Sequence, residues 1–317
     1  MREISRRALF TGGVGLAVVA GAAAGGLGLV QGGILPGKYR LAQVLGECGA
    51  TPVPPRGPLP ARETVTFWSA YRRRAVRMVI LTPAAAPPRS ALSVVIALHG
   101  LGGSAPGAAD LYAPAMTQAD ATRFAVIAVD GGSTYWHERS DRDDPLGMII
   151  HEILPRAAAR GFAVARIGII GYSMGGYGAL LLAERLSAGA ALSAKTKENA
   201  GQPGPGPIAA AVAAASPAIF ASYPDALAAD PGAFASPEEF ARNNVLAALG
   251  ALRQVPAWIS CGSSDPFAAV TQLVRDRLGQ LTGRPAAGGI ASGCHDDAFW
   301  ARTAPSALEF LGQSLAP

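Results

Sequence analysis

Ser173 lies in Gly171-Tyr172-Ser173-Met174-Gly175, where the apolar run "RIGIIG" gives way to the helical spacing of "ALLLAE". A serine hydroxyl becomes a nucleophile only when a base takes its proton and a carboxylate steadies that base. The pattern G-x-S-x-G, with a strand before it and a helix after, is the local signature of such a serine. It holds the residue on a strained turn that only small neighbours leave room for. The base has to be a histidine that follows the serine along the chain. Of four histidines only His295 does so, in "ASGCHDDAFW" just ahead of the last helical segment. The carboxylate is sought between the two. Asp265 is preferred because it emerges one short turn after the strand "PAWISCG", beside the nucleophile strand, with Asp230 and Glu238 in reserve. Three such groups together point to acyl transfer through a covalent serine ester.

Negative charge that develops on a carbonyl oxygen needs backbone N–H groups aimed at it. Met174, directly after the serine, is expected to supply one. Leu101, in the turn His99-Gly100-Leu101-Gly102-Gly103 that follows "VVIALHG", is expected to supply the other. His99 precedes the serine and is read as a structural member of that turn. Tyr135 and Trp136 end another strand on the same rim and are expected either to line the pocket or to pack beneath it. Neither a phosphate loop nor a dinucleotide loop fits "GYSMGGYG", which lacks the required lysine and the required glycine order. Asp141, Asp143 and Glu152 have the offsets of a calcium loop, but Pro145 and Leu146 stand where a ligand and a glycine belong, so no metal is expected.

These groups need a frame that brings them to one edge. "TVTFWSAY" and "AVRMVILTP" read as an antiparallel pair, with Arg72-Arg73-Arg74 as a solvated hairpin tip. Thereafter short apolar strands ("SVVIALHG", "FAVIAVDGG", "ARIGIIG", "PAWISCG") alternate with helical segments ("DPLGMIIHEILPRAAARG", "LLLAERLSA", "AFWARTAPSALEFLGQSL"). That alternation predicts an α/β fold, a mostly parallel central sheet with helices on both faces. "IAAAVAAAS" is read as a further strand although alanine favours helix. Residues 62–317 form the expected catalytic domain. Within it, residues 217–255 make an excursion rich in aromatics, Phe220 among them, that either covers the pocket or simply packs.

The opening residues "MREISRRALFTGG" precede an uncharged apolar run that lasts to Lys38. A basic start before such a run predicts an export signal of twin-arginine type over residues 1–36, or an uncleaved membrane anchor, and a Pro/Gly-rich lead-in follows over 37–61. Three arginines and one glutamate of the formal +5 lie in the first seven residues, which leaves +3 for the rest. With no basic stripe and no recognised motif, a nucleic-acid partner is excluded. Export permits disulfides, and the chain holds Cys48, Cys261 and Cys294, with no ligand spacing for zinc.

"LHGLGGS", "GYSMGGYGALLLA", "GSSDPF" and "GCHDDAFW" together resemble the α/β-hydrolase esterase group that contains esterase D and the mycolyltransferases of actinobacterial envelopes. The resemblance implies carboxylic-ester or thioester chemistry with no metal or organic cofactor. The implied substrate is an acyl-ester small molecule or lipid, and a sugar or glycerol could serve as acceptor in an acyltransferase. Cys261 and Cys294 each lie next to a member of the triad on neighbouring strand ends, so they are expected to pair and leave Cys48 free.

Overall fold

The strand "SVVIAL" is buried along nearly its whole length and "FAVIAV" along all of it, which is what unbroken apolar runs require when helices cover both faces of a sheet. The computed structural model describes residues 46, 48, 54–119, 123–196 and 206–316. The predicted export segment 1–36, most of the lead-in and residues 197–205 lie outside the described residues. Eight strands form one sheet: β1 (Ala61–Ser69), β2 (Arg74–Thr82), β3 (Ser93–Leu98), β4 (Phe124–Val129), β5 (Ala163–Tyr172), β6 (Ile208–Ala215), β7 (Ala257–Gly262) and β8 (Ala287–Ala291). Their order is β1-β2-β4-β3-β5-β6-β7-β8. The β1–β2 and β2–β4 pairs are antiparallel and all the others are parallel.

The helices are α1 (Ala105–Met116), α2 (Pro145–Met148), α3 (Leu154–Ala159), α4 (Met174–Thr196), α5 (Tyr223–Ala229), α6 (Pro237–Arg242), α7 (Val245–Ala248), α8 (Ala268–Thr282) and α9 (Asp297–Leu315). Helices α2 and α3 are joined by the π turn Ile149–Ile153, just before Pro155, whose ring cannot pack onto a regular preceding turn. Two apolar layers flank the sheet. One holds α2 to α8 around Leu180, Ile149 and Val274; the other holds α1 and α9 around Tyr112 and Leu308. No helix among the described residues is long and apolar enough to cross a membrane.

Strand β6 follows the alanine-rich reading and is extended despite the propensity of its residues. It lies between β5 and β7, with Val212 and Ala214 facing the α4 layer and Ala211 and Ala213 facing the α9 layer. Ladder bonds on both edges outweigh the few tenths of a kcal/mol per residue that alanine would gain as helix. One expectation is corrected here, and one choice left open by the sequence is narrowed. Arg72 is not solvated: its guanidinium is buried against Asp143, and Nη1 donates to the Asp130 carbonyl at 2.7 Å. Only Arg73 and Arg74 face solvent. Of the two readings of the excursion 217–255, packing is the one observed, and none of its residues lines the cleft beside Ser173. Phe220, Phe234 and Phe240 pack into the α4 layer, and the Tyr177 hydroxyl donates to the Asn243 carbonyl at 2.6 Å.

Candidate active site

The turn between β5 and α4 places Ser173 at φ 55°, a left-handed conformation that a non-glycine residue adopts at a cost of about 1 kcal/mol or more. The neighbouring chain offsets this strain by pinning the turn. The Ser173 N–H donates to the Ala215 carbonyl at 2.9 Å, and the Ser173 carbonyl accepts from the N–H groups of Tyr177 (3.1 Å) and Ala218 (3.0 Å). The flanking glycines are required by contact with backbone. A Cβ on Gly171 would lie 2.1 Å from the Gly175 oxygen, and one on Gly175 would lie 2.1 Å from the Leu98 oxygen. The helix therefore starts directly against the end of β3, which brings the serine to the sheet's carboxyl edge.

His295 reaches that edge from the segment between β8 and α9, held by Asp296, which caps α9 by accepting from the Phe299 N–H at 2.9 Å. The His295 Nε2 lies 2.9 Å from the Ser173 Oγ, and its Nδ1 lies 2.8 Å from Asp265 Oδ2. Asp265 is buried in the turn after β7, and its Oδ1 accepts from the Phe267 N–H at 2.8 Å. A carboxylate only accepts, so Nδ1 carries the ring proton and Nε2 presents its lone pair to the serine O–H. The three sequence-predicted residues are thus brought together, although the strand before Asp265 is not beside the nucleophile strand as expected, since β6 lies between β5 and β7. The reserve carboxylates are elsewhere: Asp230 ends α5 beside the Tyr135 hydroxyl, and Glu238 lies in the first turn of α6.

Ser173 and His295 open into a cleft of about 680 Å³, lined also by the turn 100–103, by Leu111 of α1 and by Trp300 of α9. Leu101 stands on its rim, and Met174 follows the serine as the first residue of α4. Among the described residues neither N–H donates to a protein acceptor, so both are free for an oxyanion. His99 supports the turn. Its Nδ1 donates to the Gly100 carbonyl (2.7 Å) and its Nε2 accepts from the Gly131 N–H (2.9 Å); burial holds it neutral by lowering its pKa.

The predicted lining residues Tyr135, Trp136 and Phe220 do not border this cleft. Trp136 is fully buried between Gly131 and Gly178, with its indole N–H on the His99 carbonyl, while Tyr135 and Phe220 pack against Phe234. They face the α4 layer, whereas the cleft opens on the α1–α9 side. Sequence reasoning missed Tyr172 and Trp300, stacked at 4.6 Å, and Phe267, which packs on the His295 ring at 5.3 Å. Each follows or precedes a triad residue by no more than five positions, and that proximity is the one signal available.

The expected disulfide is also corrected. Cys48 pairs with Cys294, and Cys261 is the free, buried thiol. The strand ends do meet, since Gly262 packs against Gly293, but the pleat turns the Cys261 side chain towards Ser216, Thr271 and Asp265. Burial, reinforced by the Asp265 charge, pushes that thiol up to about 12. Asp143 and Glu152, at calcium-like offsets, are engaged with Arg72 and with the Ala70 N–H (2.8 Å), respectively.

The sequence matches no protein-family model and no curated protein. Solved structures do match. A ferulic acid esterase superposes with a TM-score of 0.63 at 18% identity, covering 81% of this chain and 99% of its own. An S-formylglutathione hydrolase from Agrobacterium tumefaciens gives 0.62 at 13%, covering 84% and 100%. MPT51 (FbpC1) of Mycobacterium tuberculosis gives 0.62 at 16%, covering 81% and 99%. With its strand order, its elbow and these neighbours, the chain has the α/β-hydrolase fold that solved esterases share.

Proposed function

We propose that this protein is an exported serine hydrolase that cleaves carboxylic esters or thioesters through an acyl-serine intermediate. The observation that carries the reading is the continuous relay from Ser173 Oγ to His295 Nε2 (2.9 Å) and from Nδ1 to Asp265 (2.8 Å), open to an apolar cleft. Ser173 attacks the ester carbonyl while His295 takes its proton. Asp265 stabilises the imidazolium, and the N–H groups of Leu101 and Met174 hold the oxyanion. His295 then protonates the departing alcohol or thiol, and water repeats the steps in reverse to free the acid and restore the serine. No metal or organic cofactor enters this scheme. Export is supported by the basic, apolar start of the chain and by the Cys48–Cys294 bond, which persists in an oxidising compartment.

No residue of 217–255 lines the cleft at Ser173, which supports room for an alcohol as well as water at the acyl-serine. Acyl transfer to an envelope sugar or glycerol is therefore the second reading. Ser173→Ala is the test. It is expected to lower p-nitrophenyl ester turnover by a factor on the order of a million, and to abolish labelling by a fluorophosphonate. Retained turnover, or a label on another residue, refutes the assignment. Acylated trehalose or glycerol among the products selects the second reading, and free acid alone selects the first.

A further inference from the structure

The cleft at Ser173 runs as a groove between α1 and the start of α9, and its walls differ in character. Leu101, Leu111, Tyr172 and Trp300 make an apolar flank, while Asp110 and Asp297 stand on opposite sides. No lysine or arginine is among its lining residues. Asp110 is paired with Arg62, an exposed contact of the kind that water and salt largely screen. Asp297 is exposed, makes no ion pair among the described residues, and lies two positions beyond His295. Burial raises the pKa of the Tyr172 hydroxyl next to Ser173 against an opposing hydrogen bond from the Gly100 backbone, and the Asp297 charge adds to the rise as a lesser cause.

An ester drawn into this groove has its non-reacting part against two stacked aromatic rings and beside the unpaired Asp297 carboxylate, while Asp110 on the α1 wall is balanced by Arg62. A carboxylate on the substrate would meet like charge with no cation in the lining to answer it. An ammonium would gain Coulomb attraction to Asp297, while its methyl or methylene groups cover Tyr172 and Trp300. Resting on the hydrolase reading above, we propose that the groove selects esters bearing a positively charged ammonium group over neutral isosteres and rejects anionic ones, with Asp297 as the specificity-determining residue.

Two matched charge series test this, one on each half of the ester. For the leaving half, acetylthiocholine is compared with S-(3,3-dimethylbutyl) thioacetate and with S-acetyl-3-mercaptopropionate. For the acyl half, p-nitrophenyl esters of 4-(trimethylammonio)butanoate, 5,5-dimethylhexanoate and glutarate are compared. In one half or both, kcat/KM is expected to fall from cationic to neutral to anionic, by about tenfold per step at low ionic strength. That is on the order of the effect of one carboxylate a few ångströms from a bound charge near a protein surface, and it shrinks as salt is added. Asp297→Asn removes the charge behind both steps and is expected to cut the cationic-to-anionic ratio by about a hundredfold. Should that variant fold poorly, the salt dependence of the unmodified protein reads the same quantity. Series that are flat in both halves, a ratio that a folded Asp297→Asn variant leaves unchanged, or, where that variant does not fold, a ratio indifferent to salt overturn the proposal while leaving the hydrolase reading intact. Failure to turn over the neutral esters at all overturns the hydrolase reading instead, and this proposal with it.

Discussion

Glu184 on α4 is buried among apolar side chains, and neither carboxyl oxygen has a hydrogen-bond partner among the described residues. Burial raises its pKa from an ordinary 4.5 to about 8, opposed only by the neighbouring Arg185. The folded protein therefore holds this proton between the two values while the unfolded chain releases it. Stability falls as pH rises through that window, because the native state binds the extra proton. The full span from 4.5 to about 8 corresponds to roughly 5 kcal/mol, a ceiling that water entry on ionisation would reduce. Replacing Glu184 by Met keeps the length of the side chain and removes both the titration and the unpartnered polar atoms. Urea unfolding of the two proteins at a series of pH values from 4 to 9 is the assay. The variant is expected to be the more stable throughout, and its advantage to widen by a few kcal/mol between about pH 5 and 8. Curves that stay parallel across that range would refute the reasoning, since they would show that Glu184 ionises in the folded state as easily as in water.

Two further predictions concern the frame of the site. Reducing the Cys48–Cys294 bond, or replacing Cys48 with Ser, releases a cross-link spanning 246 positions, worth about 5 kcal/mol in the chain-entropy account and on the order of 10–20 °C in Tm. Because Cys294 adjoins His295, kcat/KM for a p-nitrophenyl ester should fall alongside; a Tm unchanged by reductant would sink the expectation. Gly175→Ala puts a methyl group 2.1 Å from the Leu98 carbonyl oxygen, so α4 must move off β3 and carry Ser173 with it. Destabilisation of about 3 kcal/mol and near-complete loss of turnover are expected, and wild-type values for both would contradict the close approach.

The triad was legible because its constraints are local or directional. A strained serine turn needs its glycines within two residues of Ser173, and the order serine, carboxylate, histidine leaves only His295 as base. The unbroken apolar runs of β3 and β4 likewise announce strands buried on both faces. The choice of Asp265 over Asp230 and Glu238 also rested on local grounds, a position one turn beyond a strand. Where the expectations failed, the deciding contacts join residues far apart along the chain. Arg72 reads as solvated until Asp143, 71 positions away, is seen to meet it. For Tyr135, Trp136 and Phe220 the sequence left open lining the pocket or packing, and packing into the α4 layer decides it, which no periodicity reports.

Cysteine pairing shows the same division most clearly. The meeting of the two strand ends could be inferred from topology, whereas the direction of the Cys261 side chain depends on the pleat, and the arrival of Cys48 depends on a path from before β1. By itself, then, the sequence determined the alternation of strands and helices, the serine turn and the two side chains that meet Ser173, because backbone sterics and chain order act over a few residues or along one direction. Only the tertiary structure decided which faces line the groove, which thiol is free and which charges are buried. Those outcomes come from packing between segments whose separation in sequence carries no information about their distance in space.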